Sequence, residues 1–354
     1  MRLLFITQKI DKDDDILGVY HRWIEELAKR VEKISVICLY RGRVELPDNV
    51  RVYSLGKEKL EIRNWKLKII KKLIYAINFL KYIWRLRKDY DRVLVHMNPE
   101  YMILGAKLWK LLGKKIFFWY NHPMGGLRAR VAIALADKVL HTSPFAFAAR
   151  FKKAKQMPVG IDATIFRKLP AIQKLPKAIL YLGRLSPIKF IEVLIDAALM
   201  LDTQVVDFRL TIAGEPSKDS EVAYAASLKT RAEPLVKKGK IVFRNAVPNH
   251  KASELYNSHE ICVNMTPTGS FDKTIIEAMA CEMLVVASNK AVADILPEPL
   301  RFQEKDAKDL ARALGVALAM SNQEKQQMGA RLLEYVLGRH DLNTLIEKLV
   351  GALK

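Results

Sequence analysis

Along the chain, short runs of apolar and β-branched residues alternate with longer stretches in which apolar positions recur every three or four residues. The first pattern predicts strands and the second predicts helices. In the first half the predicted strands are Arg2–Thr7, Ile34–Leu39, Val50–Ser54, Arg92–His96, Ile116–Tyr120 and Lys138–His141, with helices such as His21–Val31 and Met102–Leu112 between them. In the second half they are Ala178–Leu182, Phe208–Ala213, Ile241–Phe243, Ile261–Met265 and Leu284–Ala287. Helices are predicted there over Lys189–Leu201, Ser220–Lys238, His250–Asn257, Thr274–Cys281 and Ala307–Met320. Strands that are apolar throughout and flanked by helices belong in parallel sheets covered on both faces. Each half therefore reads as an α/β, doubly wound domain.

Length supports two such domains. The chain has 354 residues, half of them apolar, and single cores stop growing near ~250–300 residues. The expected division is an N-terminal domain over 1–168, a C-terminal domain over 169–330 and a C-terminal helix over 331–354 packing back on the first domain. Phe166–Lys177, with Pro170 and Pro176 and little periodicity, reads as the linker. Three widely spaced cysteines, Cys38, Cys262 and Cys281, fit neither a disulfide framework nor a zinc site. The apolar run Leu3–Ile6 is short for a signal peptide, and no stretch is long and apolar enough to span a bilayer. The expectation is a cytoplasmic protein, or one peripheral on the inner face of the cell membrane.

Charge sharpens this. The net charge is +21. Residues 1–170 carry 35 Lys and Arg against 16 Asp and Glu, while residues 171–354 carry 24 against 22, so the excess lies almost wholly in the first half. Such a field concentrates anionic partners. The segment Lys57–Lys88 alone holds 11 Lys and Arg. Within it, Trp65–Lys88 places Ile70, Leu73, Ile74, Ile77, Leu80 and Trp84 on one helical face bordered by cations. One reading is a helix in an anionic lipid interface, with Trp65, Tyr82 and Trp84 near headgroup level. The other is a helix packing that stripe on its own sheet.

Several chemistries are excluded or weak. No Gly-x-Gly occurs among the 16 glycines, and there is no phosphate-binding P-loop, G-x-S-x-G or H-E-x-x-H motif. No nucleic-acid recognition motif is present. The acidic run Asp11–Asp15 reads as a solvated loop or helix cap before it reads as a metal site.

Two segments of the second half carry chemistry. In Tyr181-Leu-Gly183-Arg184-Leu-Ser-Pro-Ile-Lys189, two cations follow the carboxyl end of a predicted parallel strand, where ligands bind in such sheets and where cations suit a diphosphate. In Thr266-Pro-Thr-Gly269-Ser270-Phe271-Asp272-Lys273-Thr-Ile-Ile-Glu277-Ala-Met-Ala-Cys281, a strand leads through a turn to a helix bearing Glu277. Backbone N–H groups at such a turn cradle anions or hydroxyls.

Together these segments resemble the retaining glycosyltransferases of family 4, which have the two-domain GT-B fold. Gly183-Arg184-Leu-x-x-x-Lys189 matches the family's Gly-Arg-[apolar]-x-x-x-Lys, and Gly269-Ser-Phe-Asp-x-x-x-x-Glu277-Ala-Met-Ala stands at its Glu-[Gly/Ser]-Phe-Gly-x-x-x-x-Glu-Ala-Met-Ala. Ile212-Ala213-Gly214, Val247-Pro248 with Glu254-Leu255-Tyr256, and Gly160-Ile161-Asp162 with Phe166 are similar to its other landmarks. The sequence departs from the pattern at Gly269, where the family has its first glutamate, at Asp272, where glycine is usual, and at Phe190, where glycine often follows the lysine.

The resemblance implies two Rossmann-like domains facing each other across a cleft, and sugar transfer from a UDP- or GDP-sugar with retention and without metal or other cofactor. It implies that His122, Arg184, Lys189 and Glu277 are catalytic, with Glu277 anchoring the ribose. Gly18, Gly183, Gly214, Val247, Gly269, Ser270, Phe271, Asp272 and Lys273 are the donor-binding candidates, and Asp272 or Lys273 is a candidate for the sugar contacts that Gly269 lacks. His21, His96 and Asn98 are the acceptor-side candidates. His141, His250, His259 and His340 read as structural. The basic first half points to an anionic or lipid-linked glycan acceptor, with peripheral membrane contact and no nucleic-acid partner. A GT-B protein that binds nucleotide or sugar without catalysis is the main alternative, and a GT-B epimerase or phosphorylase is another.

Overall fold

The computed structural model describes residues 1–59 and 65–354, the side chains of residue 59 and residues 65–69 excepted. The chain divides into two compact units, one comprising Met1–Met157 with Leu345–Lys354, the other Pro158–Thr344.

Among the described residues, unit 1 holds a seven-stranded sheet, built of β1 (Arg2–Ile10), β2 (Lys33–Arg41), β3 (Val50–Ser54), β4 (Arg92–His96), β5 (Lys115–Trp119), β6 (Lys138–His141) and β7 (Ala154–Gln156). The order is β3-β2-β1-β4-β5-β6-β7 and the pairings are parallel. Its helices are α1 (Gly18–Ala28), α2 (Trp65–Arg85), α3 (Pro99–Leu111) and α4 (Leu127–Leu135). Pro99 starts α3 at a position where its missing N–H costs nothing. Val93, Val95 and Phe118 of the strands close a core with Phe79 and Ile83 of α2 and Met102, Ala106 and Trp109 of α3. The order reverses between β1 and β4, so the loops after these two strands flank the switch point.

Helix α2 uses a different face from the one its most regular stripe suggests. Phe79 and Ile83 are fully buried. Ile70, Leu73, Ile74, Ile77, Leu80 and Trp84 are all 38–60% exposed. Packing of that stripe on the sheet is therefore corrected: the helix is apolar on two sides and the sheet takes the narrower one. The side chain of Trp65 lies outside the described residues. No described helix is long and apolar enough to cross a membrane.

Unit 2 holds, among the described residues, a five-stranded parallel sheet in the order β10-β9-β8-β11-β12. Its strands are β8 (Ala178–Leu182), β9 (Arg209–Ala213), β10 (Ile241–Arg244), β11 (Ile261–Asn264) and β12 (Leu284–Ala287). Helices α5 (Ile191–Thr203), α6 (Val222–Lys237), α7 (Ala252–Asn257), α8 (Lys273–Ala280), α9 (Ala307–Ala319) and α10 (Asn322–Arg339) cover it. One face packs α5, α6 and α9 on Ile179, Leu210 and Val263. The other packs α7, α8 and α10 on Leu180, Cys262 and Val285. Here the order reverses between β8 and β11.

The unit boundary at Met157 lies earlier than residue 168, and Phe166–Lys177 belongs to unit 2. Phe166 is buried against Tyr256, and the Leu169 N–H donates to Asn257 Oδ1 at 2.8 Å. Prolines and weak periodicity are shared by true linkers and by irregular segments pinned through side-chain bonds. The last helix, α11 (Leu342–Leu353), starts in unit 2, and its residues from Leu345 group with unit 1. There the carbonyls of Ala352 and Leu353 accept from Lys138 Nζ at 3.3 Å and Arg92 Nε at 3.0 Å.

Candidate functional site

The two chemistry-bearing segments of unit 2 emerge from β8 and β11, the neighbours across the switch point. Gly183 follows β8, and Gly214 follows β9. These loops cross so closely that a Cβ on Gly214, whose φ is +146°, would lie 1.9 Å from the Gly183 carbonyl oxygen. Only glycine fits there. Arg184 comes next, and its Nη1 reaches Ser217 Oγ at 3.4 Å. Ser186 donates to the buried Glu221 at 2.6 Å, which ties the β8 loop to the start of α6.

Lys189 ends a single 3₁₀ turn, Pro187–Lys189. The next residue, Phe190, is left-handed, with φ 49° and ψ 44°. A glycine would adopt this without strain, whereas a side chain there costs about 1–2 kcal/mol. Lys189 Nζ donates to Thr266 Oγ1 at 2.6 Å and to Asp272 Oδ2 at 2.5 Å. Thr266 donates to the same carboxylate oxygen. Asp272 also caps α8, its Oδ1 accepting from the Thr274 N–H at 3.2 Å. Burial opposes ionisation of Asp272, but Lys189 and these hydrogen bonds outweigh it and hold the carboxyl well below the usual carboxylate range. Asp272 is thus engaged by Lys189.

The turn before it is fixed by side chains that sequence patterning did not single out. Asn289 Nδ2 donates to the Ser270 carbonyl at 2.7 Å, and the Thr268 N–H donates to Glu304 Oε1 at 2.6 Å. Gly269 has φ +124°, a conformation hostile to any side chain, so a glutamate could not simply be restored there. Phe271 is buried against the ring of His340. Lys273 opens α8. Val247 packs partly buried on the α7–α8 side of the core.

Glu277 is 1% exposed. Its Oε1 accepts from Asn249 Nδ2 at 2.8 Å and its Oε2 from Tyr256 OH at 2.9 Å. Burial raises its pKa, while the nearby Lys273 charge and both hydrogen bonds act in the opposite direction. A carboxylate has about four lone-pair sites, so each oxygen retains accepting capacity. Asn249 was not legible as a site residue. Tyr256 was legible only as part of the Glu254-Leu-Tyr landmark. A cavity of about 450 Å³ opens at this strand edge, lined by Leu185, Gly214, Glu215, Phe243, Arg244 and Asn245 among others. A second recess, of about 700 Å³, lies at the opposite edge, where Lys168 and Lys325 neutralise Glu282 and Glu260.

In unit 1 the candidates separate by burial. His122 follows β5 with an exposed ring, and its Nδ1 meets the Met124 N–H at 3.1 Å. His96 is 4% exposed, packed among Phe5, Tyr20, Trp23 and Trp119, with Nδ1 3.5 Å from Thr7 Oγ1. Asn98 Nδ2 donates to the His96 carbonyl at 2.9 Å. Gly18 opens α1. Before it, Asp11 and Asp14 pair with Lys9 at 3.2 and 2.5 Å, and Asp14 Oδ1 also accepts from the Ile16 N–H at 2.9 Å. His21 is buried, and its Nε2 accepts from the Glu45 N–H at 3.0 Å. Burial lowers its pKa, so the ring is neutral at pH 7. His141, His259 and His340 are likewise buried on local partners.

Comparison with known proteins places the fold. Residues 176–320 match the family model for glycosyl transferases group 1. No curated protein matches the chain. Among solved structures, Anabaena HepE in complex with UDP and glucose superposes with a TM-score of 0.79 at 17% identity, covering 100% of this chain and 99% of that one. Sucrose-phosphate synthase of Thermosynechococcus elongatus gives 0.77 at 17% identity, with 99% and 98% covered. WaaG, a glycosyltransferase involved in lipopolysaccharide biosynthesis, gives 0.71 at 14% identity, with 99% of each chain covered. At such identities the likeness establishes the GT-B fold alone. The segment 176–320, which contains Arg184, Lys189, Asp272 and Glu277, is similar to the glycosyl transferases group 1.

Proposed function

We propose that this protein is a retaining, metal-independent hexosyltransferase that takes a UDP- or GDP-sugar and glycosylates an anionic or lipid-linked glycan acceptor. The observation that carries the reading is the convergence, at the switch point of the unit 2 sheet, of Arg184 and Lys189 after β8 with the Gly269–Lys273 turn and Glu277 after β11. Anabaena HepE has been crystallised with UDP and with UDP-glucose, which supports a nucleoside diphosphate at this edge.

In the proposed reaction the bond between the anomeric carbon and the diphosphate breaks as the acceptor hydroxyl attacks, and the nucleoside diphosphate leaves with increased negative charge. Arg184, Lys189 and the N–H groups of the turn meet that charge by electrostatic stabilisation. Glu277, oriented by Asn249 and Tyr256, accepts from the ribose hydroxyls. No side chain of this loop cluster is placed as a covalent nucleophile, which fits a front-face route with retention. His122 is the polar group proposed for the acceptor side.

The acceptor class follows from charge and shape. Unit 1 carries most of the positive charge, and α2 presents six exposed apolar side chains. With Lys71, Lys72 and Lys81 on the same helix, this is the composition of an interfacial helix on an anionic lipid surface.

Thermal melting with UDP, GDP, ADP and CMP tests the donor reading. A ligand at 100 times its Kd adds about 2.7 kcal/mol of stability. One nucleotide should stabilise the wild type and neither Arg184→Ala nor Glu277→Ala. No response to any of the four would overturn the donor site and favour a GT-B protein without catalysis.

A further inference from the structure

Lys189 is one of the two β8-loop cations proposed to meet the diphosphate, yet its ammonium is already occupied. Two of its three donors go to Thr266 Oγ1 and Asp272 Oδ2. The two side chains are 14% and 16% exposed, so solvent screens their attraction little. The pair is neutral, which leaves Arg184 as the cation of the β8 loop that offers its charge.

Asp272 is the partner that cannot yield. Its Oδ1 accepts from the Thr274 N–H and Oγ, each at 3.2 Å, and Thr274 Oγ1 is held by Asn264 Nδ2 at 2.9 Å. Leaving would uncap α8 and strand Thr266. Lys189 sits instead at the end of a short turn, on a flexible four-carbon stem, beside the strained Phe190.

Resting on the donor-site reading above, we propose that Asp272 is a built-in competitor for the donor's diphosphate. Its fixed carboxylate holds Lys189, and a diphosphate gains that ammonium only by sharing it with Asp272 or drawing it away. The carboxylate thereby weakens the grip on the nucleoside diphosphate product and sets a low affinity for the leaving group. Asp272 is then an affinity-determining residue of the site, in place of a sugar-binding one.

The test is calorimetric titration of inorganic pyrophosphate, UDP and uridine into wild type, Asp272→Asn and Asp272→Ser. Asparagine and serine both retain a capping oxygen for α8 and remove the charge. In both variants the Kd for pyrophosphate and for UDP should fall at least tenfold, while that for uridine changes less than twofold. Adding Lys189→Ala to Asp272→Asn should abolish the gain. Pyrophosphate affinity that is unchanged or weaker in both variants would overturn the proposal and make Asp272 a support that positions Lys189. A pyrophosphate gain without any UDP binding would uphold the competition and overturn the donor reading instead. If one variant fails to fold, the other decides.

Discussion

At the scale of single residues, the decisive facts are backbone conformations and hydrogen bonds that letters do not display. The three departures at Phe190, Gly269 and Asp272 were visible in the sequence, but their meaning was not. Phe190 keeps the left-handed conformation that glycine usually supplies. Gly269 could not accept the missing glutamate at its φ of +124°. Asp272 is bonded to Lys189 and caps a helix. The histidines show the same limit. His96 ends β4 and His21 lies in the first turns of α1, after β1, and the structure buries both. Because His21 accepts a hydrogen bond as a neutral ring and burial depresses its pKa, the unfolded chain takes up its proton first as pH falls. Its contribution to stability is complete above the unfolded value of about 6.5 and is lost as pH falls from there through the folded pKa. Urea unfolding of unit 1 across pH 7.5 to 5 should show that loss. His21→Gln, which keeps an acceptor for the Glu45 N–H, should reduce it, the remainder coming from the buried His141 of the same unit, whose pKa burial also lowers.

At the scale of elements, α2 is the informative case. A sequence with apolar residues on two sides of a helix gives two candidate stripes, and periodicity favours the longer one. The sheet selects Phe79 and Ile83 because these large side chains fill the space between Trp109 and Tyr101, with ring centroids of Phe79 at 6.0 and 4.8 Å from theirs. The longer stripe is left outside. The two faces should therefore respond oppositely. Leu73→Ser with Ile77→Ser should change unfolding free energy by about 0.5 kcal/mol or less and reduce binding to anionic vesicles. Phe79→Ala should cost about 3–5 kcal/mol. A loss of stability in the double serine variant comparable to that of Phe79→Ala would show that the exposed stripe is structural. Elements with weak patterns escaped the sequence altogether: β7 has three residues, and α4 has little apolar asymmetry.

At the scale of the molecule, charge is the property that sequence alone makes quantitative. With nearly all of a +21 excess in the first half of the chain, binding to vesicles rich in anionic lipid should be electrostatic at long range. Raising ionic strength from about 0.05 to 0.5 M shortens the screening length severalfold. Sedimentation with vesicles should then fall at least tenfold, and neutral vesicles should bind poorly at either salt. Salt-independent binding would assign the contact to the apolar stripe alone.

The sequence by itself determined the fold class, the order of most strands and helices, the charge asymmetry and the segments after β8 and β11. Each of these follows from local chemistry: side-chain periodicity sets strand or helix, and a parallel sheet brings the carboxyl ends of its strands to one edge. Only the tertiary structure decided where the units divide, which face of α2 is buried, and that Asn249 and Tyr256 hold Glu277 while Asp272 holds Lys189. Those outcomes depend on which residues distant in the chain come within about 3 Å of one another, and no local pattern records that.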